Sequence, residues 1–271
     1  MNLRNHLAIA IRAALEAGDE ILSVYEQPHE VEIKSDNSPL TIADRKSHLK
    51  IIDHLQHTQL PVLSEEGKAI AFETRSNWDL FWMVDPLDGT KEFIKKNGEF
   101  TVNIALIQKG KAVAGVIYAP VTDTLWFGSV DTGSFRITDA STLDQHTLSS
   151  TDILLQSGNR LPLATTNRPF TVVASRSHLS PETEALVDEL RIKHPDITFV
   201  SKGSSLKICL VAEGSADIYP RLAPTMEWDT AAGQAIAENA GCKMINALTG
   251  STVIYNKEQL LNPHFIVERL S

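Results

Sequence analysis

The sequence predicts an α+β chain whose second half turns to α/β order. Three observations carry this: apolar residues at helical spacing near the start, apolar strands joined by short turns in the middle, and alternating strand and helix patterns after about residue 170. Helical patterns run over 2–26, 41–56, 181–193, 204–213 and 229–240. In the first of these, Leu3, Leu7, Ala10, Ile11, Ala14 and Leu15 share one face. The stretch has the look of a leader, but Glu16, Asp19 and Glu20 follow at once and no small-residue cleavage site is evident. A core-facing amphipathic helix is the better reading.

Strand-like runs are Pro61–Leu63, Leu80–Val84, Val102–Gln108, Ala112–Ala119, Thr124–Phe127, Thr171–Ala174, Thr198–Val200 and Ala216–Tyr219. Lys109-Gly110-Lys111 marks a hairpin between Ile107 and Val113. The first half therefore reads as paired helices followed by an antiparallel meander. No repeat or low-complexity tract appears. The segment 138–168 is polar and has no clear period, so it reads as a crossover. This divides the chain into an N-terminal α+β lobe, 1–140, and a C-terminal α/β lobe, 141–271. With no flexible linker between them, the lobes are expected to pack as one unit with a ligand cleft between them.

Composition narrows the function. Of 271 residues, 42% are hydrophobic and 22% charged, ordinary values for a globular chain with a large core. A net charge of −9 argues against a nucleic acid polymer as partner, because phosphate backbones are held by basic surface. It does not exclude a small phosphate ester bound through metal ions. No apolar run is long enough to cross a bilayer, and the acidic first helix does not suit a membrane surface. Two cysteines, Cys209 and Cys242, build no disulfide framework and suit a reducing compartment.

The chemistry concentrates in FWMVDPLDGTKEF, residues 81–93. An apolar strand runs into Asp85-Pro86, where proline is expected to stop the ladder and leave the Asp85 carboxylate at a strand end. Asp88 follows, Gly89 lets backbone approach a ligand, and Thr90 opens a short helix whose amides suit phosphate. Two carboxylates beside an anion site are what a magnesium-bridged phosphate requires. Asp-Pro and Asp-Gly are also common turn chemistry. Three further features bear on the choice. A short strand enters Ser64-Glu65-Glu66, where Glu65 reaches the same cleft or is simply a solvated turn. Trp228 precedes Asp229, which opens a small-residue helix and is read either as a site residue or as its N-cap. Thr41 and Asp44 follow a turn and are either site residues or caps.

The Glu-Glu after a strand (65–66), DPLDGT (85–90) and WDTAAG (228–233), in that order, resemble the inositol monophosphatase superfamily over roughly residues 5–245. DPLDGTKEF, SPLTIAD (38–44), VLSEE (62–66), SRSH (175–178) and the stretch 203–233 are similar to its 3′(2′),5′-bisphosphate nucleotidase branch, of the bacterial CysQ type. The resemblance implies a layered αβαβα sandwich and a lithium-sensitive, magnesium-dependent hydrolase, and the acidic first helix adds the expectation of a cytoplasmic protein. Its implied reaction is hydrolysis of adenosine 3′,5′-bisphosphate to AMP and phosphate, which clears a by-product of sulfur assimilation. It implies two magnesium ions, or three, held by Glu65, Asp85, Asp88, Asp229 and the Leu87 carbonyl.

By the same resemblance Thr90 and Glu65 orient and deprotonate the attacking water, and Asp88 is grouped with them as catalytic. The Gly89 and Thr90 amides cradle phosphate, and Lys207, Tyr219 and Arg221 contact the rest of the nucleotide. Ser38 stands where relatives carry an Asp, with Asp36 nearby but out of register, which bears on the third metal. His178 reads as a nucleotide-contacting or exposed residue rather than the general acid. The expected route is in-line attack by water without a covalent intermediate. Two other readings are an inositol- or sugar-phosphate phosphatase of the same superfamily, and a non-catalytic regulatory binder. Peripheral attachment to the inner membrane, and a monomer or homodimer, stay open.

Overall fold

A computed structural model describes residues 3–25, 31–33, 39–148, 150–163, 168–174 and 181–270. Ser38, Asp36 and His178 lie outside them, as does the side chain of Thr41. The chain opens with helix α1 (Leu3–Tyr25), an antiparallel pair β1 (Val31–Ile33) and β2 (Pro39–Thr41), and α2 (Ile42–Leu55). Next come β3 (Val62–Ser64), α3 (Phe72–Arg75), β4 (Leu80–Asp88), α4 (Thr90–Ile94), β5 (Thr101–Gln108), β6 (Lys111–Ala119), β7 (Thr124–Ser129) and β8 (Gly133–Thr138). Short helices α5 (Gln145–Leu148) and α6 (Thr151–Ser157) lead to β9 (Asn159–Arg160). The remainder is β10 (Thr171–Val173), α7 (Pro181–Lys193), β11 (Thr198–Val200), α8 (Leu206–Glu213), β12 (Ile218–Arg221), α9 (Glu227–Asn239), β13 (Cys242–Asn246) and β14 (Phe265–Arg269).

These elements stack in five layers. The large sheet runs β3-β4-β5-β6-β7-β8-β9, antiparallel except for the β3–β4 pair. Its strands are buried on both faces, so they read as near-continuous apolar runs. Trp82, Val84, Val102, Ile104 and Val116 face α1 and α2, whose buried residues include the predicted stripe from Leu3 to Leu15. Phe81, Met83, Ala105, Ile107 and Ile117 face the opposite way, toward α8 and α9. The second sheet runs β11-β10-β12-β14-β13 beyond those helices, and Val187 of α7 packs with Val172 and Ile218 on its outer face. This is the αβαβα sandwich the sequence implied. Gly115 of β6 shows how tightly its middle layers fit. A Cβ there would lie 2.3 Å from the Ala232 carbonyl of α9, so only a glycine opposite the small residues of that helix allows the approach.

Three expectations are corrected. The segment 138–168 is not without period: it holds α5, α6 and β9, which joins the edge of the large sheet against β8. Strands β8, β13 and β14 escaped notice because flanking turns interrupt short, partly polar runs. Strand β4 also does not stop at Pro86. It continues to Asp88 through a register irregularity, which accommodates the missing N–H of proline. Among the described residues no helix is long and apolar enough to cross a membrane, and both cysteines are buried and free.

Candidate active site

Strand parity places Asp85 on the face of Phe81 and Met83, looking toward α9, and the residue is only 2% exposed. Its Oδ1 accepts the Leu87 amide at 3.1 Å, while Ser47 Oγ donates to the Pro86 carbonyl at 2.7 Å. Asp85 pairs with Asn103 and Asp88 with Thr101, and the slip between them brings Asp88 to the same end of the strand. Gly89 then turns the chain at φ +96°, a left-handed backbone that a side chain would strain. Helix α4 begins at Thr90, whose Oγ1 donates to the Leu87 carbonyl at 3.4 Å. Glu65 directly follows β3, and its amide donates to the Val84 carbonyl at 3.1 Å, beside the end of β4.

Asp229 comes from the far side of the cleft. It is not the N-cap of α9, which was the alternative to a site role; Met226 holds that position. The helix starts at Glu227, and Asp229 occupies its third position, accepting the Met226 amide on Oδ2 at 2.9 Å. The start is drawn back because Glu227, fully buried, accepts the Asn256 and Lys257 amides and the Lys257 ammonium. Sequence patterning along the helix carries no sign of such a tertiary anchor.

Crowded carboxylates set the electrostatics. Burial, then Glu65, Asp88, Asp229 and Asp44 in turn, push the Asp85 carboxyl well above the usual carboxylate range. Asp229 is pushed up to about 8, first by burial and then by Asp88, with the Met226 amide pulling the other way. Asp44, 2% exposed in the first turn of α2, thus proves to be part of this acidic neighbourhood as well as a helix-start residue.

Asp88 and Asp229 open onto a cavity of about 250 Å³ whose other walls include Gly89, Glu92, Lys207, Tyr219 and Arg221. Lys207 lies 5.8 Å from the Tyr219 ring and donates to the Ser204 carbonyl at 2.8 Å. Burial lowers its pKa, opposed by Asp88 and reinforced by Arg221. The Arg221 Nε is buried without a partner among the described residues. One cavity therefore has an acidic end and a cationic end. The structure brings Asp88, Gly89, Lys207, Tyr219, Arg221 and Asp229 into its walls, with Asp85 buried beneath. Glu65, Leu87 and Thr90 flank it at the ends of β3 and β4.

The donor set suits a hard divalent cation. Carboxylates and a carbonyl are the oxygen ligands magnesium takes, and an anionic group as buried as Asp85 among like charges calls for a counter-charge. Among the described residues no three acidic, histidine or cysteine side chains already converge as a finished metal cage. Asp229 Oδ2 accepts the Met226 amide, and Asp88 Oδ2 is taken by protein donors.

Those donors are the part that sequence reasoning missed. Ser204 Oγ and Ser205 Oγ each lie 2.6 Å from Asp88 Oδ2, with Asn103 Nδ2 at 3.4 Å. Ser205 Oγ is also 2.8 Å from the Asp229 carbonyl and accepts from Asn103 Nδ2 at 2.8 Å. Thr101 Oγ1 lies 2.7 Å from Ser204 Oγ. The only signal was a pair of serines before a helix and two polar residues at alternate positions of an apolar strand.

A five-layer sandwich with an acidic cleft at the strand ends defines the class of inositol- and sugar-phosphatase folds. The chain belongs to the inositol monophosphatase family, whose model matches residues 2–269. A curated relative from Salmonella typhimurium, named 3′(2′),5′-bisphosphate nucleotidase CysQ, is 44% identical over 260 residues, 94% of this chain and 96% of its own. The solved structure of CysQ from Bacteroides thetaiotaomicron is 52% identical, covers 99% of this chain and 98% of that one, and superposes with a TM-score of 0.91. The extragenic suppressor protein suhB from Bartonella henselae is more distant, at 25% identity and a TM-score of 0.71 over 96% of this chain and 92% of its own.

Proposed function

We propose that the chain is a 3′(2′),5′-bisphosphate nucleotidase that hydrolyses adenosine 3′,5′-bisphosphate to AMP and phosphate, with a role in recycling this by-product of sulfur assimilation. One observation carries the substrate class: the cavity that holds Asp88 and Asp229 also holds the half-buried cations Lys207 and Arg221. A monophosphate ester would leave that pair without an anion. A ligand with two phosphates satisfies both ends. The full-length likeness to proteins named CysQ, well above the likeness to suhB, supports the same choice.

Glu65, Asp85, Asp88, Asp229 and the Leu87 carbonyl would hold magnesium. When bound, magnesium supplies a water of lowered pKa and neutralises charge on the attacking and leaving oxygens of an in-line displacement. The chain's own groups do the rest. Thr90 and Glu65 orient the attacking water and take its proton. The Gly89 and Thr90 amides hold the reacting phosphate, and Lys207 and Arg221 hold the remote one.

The test is phosphate release with magnesium from adenosine 3′,5′-bisphosphate, inositol 1-phosphate and fructose 1,6-bisphosphate. Preferential turnover of the nucleotide is expected. Preference for either sugar-type ester would overturn the assignment.

A further inference from the structure

The cationic end and the acidic end of the cavity are joined by a short covalent and hydrogen-bonded path through Ser204. Lys207 donates to the Ser204 carbonyl at 2.8 Å. On the same residue, Oγ lies 2.6 Å from Asp88 Oδ2 and 3.0 Å from the Asp88 carbonyl. Ser204 adopts φ +54°, a left-handed conformation that is uncommon for serine and is kept only where surroundings hold it. Those surroundings come from both sides of the cleft. The Gly203 amide donates to Glu99 Oε2 at 2.7 Å, and Thr101 Oγ1 contacts Ser204 Oγ at 2.7 Å. The segment is thus a strained clasp laid by the second sheet's elements onto the end of β4.

From this geometry, and resting on the nucleotidase reading above, we propose that Ser204 is a positioning residue that makes the remote phosphate of a bisphosphate substrate felt at Asp88. A lysine ammonium has three donors. One is spent on the Ser204 carbonyl, and the others remain for an anion in the cavity. An anion that fixes Lys207 fixes that carbonyl, and with it the ψ of Ser204 and the seat from which its Oγ reaches Asp88. Asp88 Oδ2 is then held in place, which leaves Oδ1 to meet a cation. Binding energy from a part of the substrate that does not react is thereby used at the reacting end, and it appears in kcat rather than only in KM. Ser205 also holds Asp88 Oδ2 but is tied to Asn103 and the Asp229 carbonyl instead of Lys207. It serves as the built-in control.

The experiment compares kcat and KM for adenosine 3′,5′-bisphosphate and 3′-AMP in the wild type, Ser204→Gly and Ser205→Ala. Glycine removes the hydroxyl and also tolerates the left-handed backbone, so Ser204→Gly is expected to fold. In the wild type the bisphosphate should exceed 3′-AMP in kcat by about tenfold or more, the size of one charge-assisted hydrogen bond. In Ser204→Gly that kcat ratio should fall close to one, while the KM ratio set by Lys207 and Arg221 persists. In Ser205→Ala both substrates should slow together and the kcat ratio should stay. A kcat ratio unchanged in Ser204→Gly, or one absent from the wild type, overturns the coupling and leaves the nucleotidase reading standing. Failure of the wild type to hydrolyse the bisphosphate overturns the reading beneath it.

Discussion

At one end of the cavity, Asp85 and Asp229 are buried among other carboxylates, and their protons are held tightly as a result. At the other, Lys207 and Arg221 lie on α8 and β12 beside Tyr219, and burial loosens the lysine proton instead. Either set alone is an unfavourable concentration of like charge. The contrast shows that the two ends do not neutralise each other by direct ion pairing: Lys207 donates to a carbonyl and Asp88 accepts from hydroxyls. Each end is left for a counter-charge brought from outside, cations at the first and a phosphate at the second.

Breaking the acidic end should give the largest effect. Asp88→Asn is expected to lower kcat for phosphate release by about 10²–10³, the scale of losing one preorganised electrostatic group. A colorimetric phosphate assay reads this directly. Breaking the cationic end should act on binding instead. Arg221→Ala is expected to raise KM for adenosine 3′,5′-bisphosphate about 10–100-fold, the equivalent of one hydrogen bond to a charged group. KM for 3′-AMP should move far less.

Asp85→Asn separates activity from stability. It should abolish most turnover yet raise the melting temperature of the metal-free protein at pH 7, because the amide is neutral without the proton that burial and neighbouring carboxylates force on Asp85. The Leu87 amide keeps an acceptor in the new side chain, so the turn is preserved.

The pH dependence sharpens the same point with a smaller signal. Between the ordinary Asp value of 3.8 and about 8, folded metal-free protein keeps a proton on Asp229 that the unfolded chain has shed. This group's contribution to stability therefore falls as pH rises through that window. Magnesium needs the deprotonated carboxylate, so its stabilisation should grow with pH. Thermal melts with and without magnesium should show a larger shift at pH 8 than at pH 5.5. Equal shifts at the two values would deny the proton–metal competition.

Much of this was legible before the structure. Asp85, Asp88 and Thr90 sit in a contiguous motif whose turn residues announce themselves, and α1 shows its buried stripe through spacing alone. Lys207 and Arg221 were found by neighbourhood, and the structure adds that they share a cavity with the carboxylates. What stayed hidden depends on contacts distant in sequence. Ser204 and Ser205 meet Asp88 across 116 and 117 residues, and nothing local marks a serine for that. The continuation of β4 past Pro86 was hidden for a related reason. Only pairing with β5 shows that the irregularity absorbs the missing donor.

The most direct test of two ends with separate tasks is a magnesium titration of phosphate release from adenosine 3′,5′-bisphosphate, run on the wild type and on Lys207→Ala. Both should be silent without magnesium and gain activity over a similar range of metal. The variant should differ mainly by a higher KM for the nucleotide. Release without a divalent cation, or an unchanged KM in Lys207→Ala, would contradict the account.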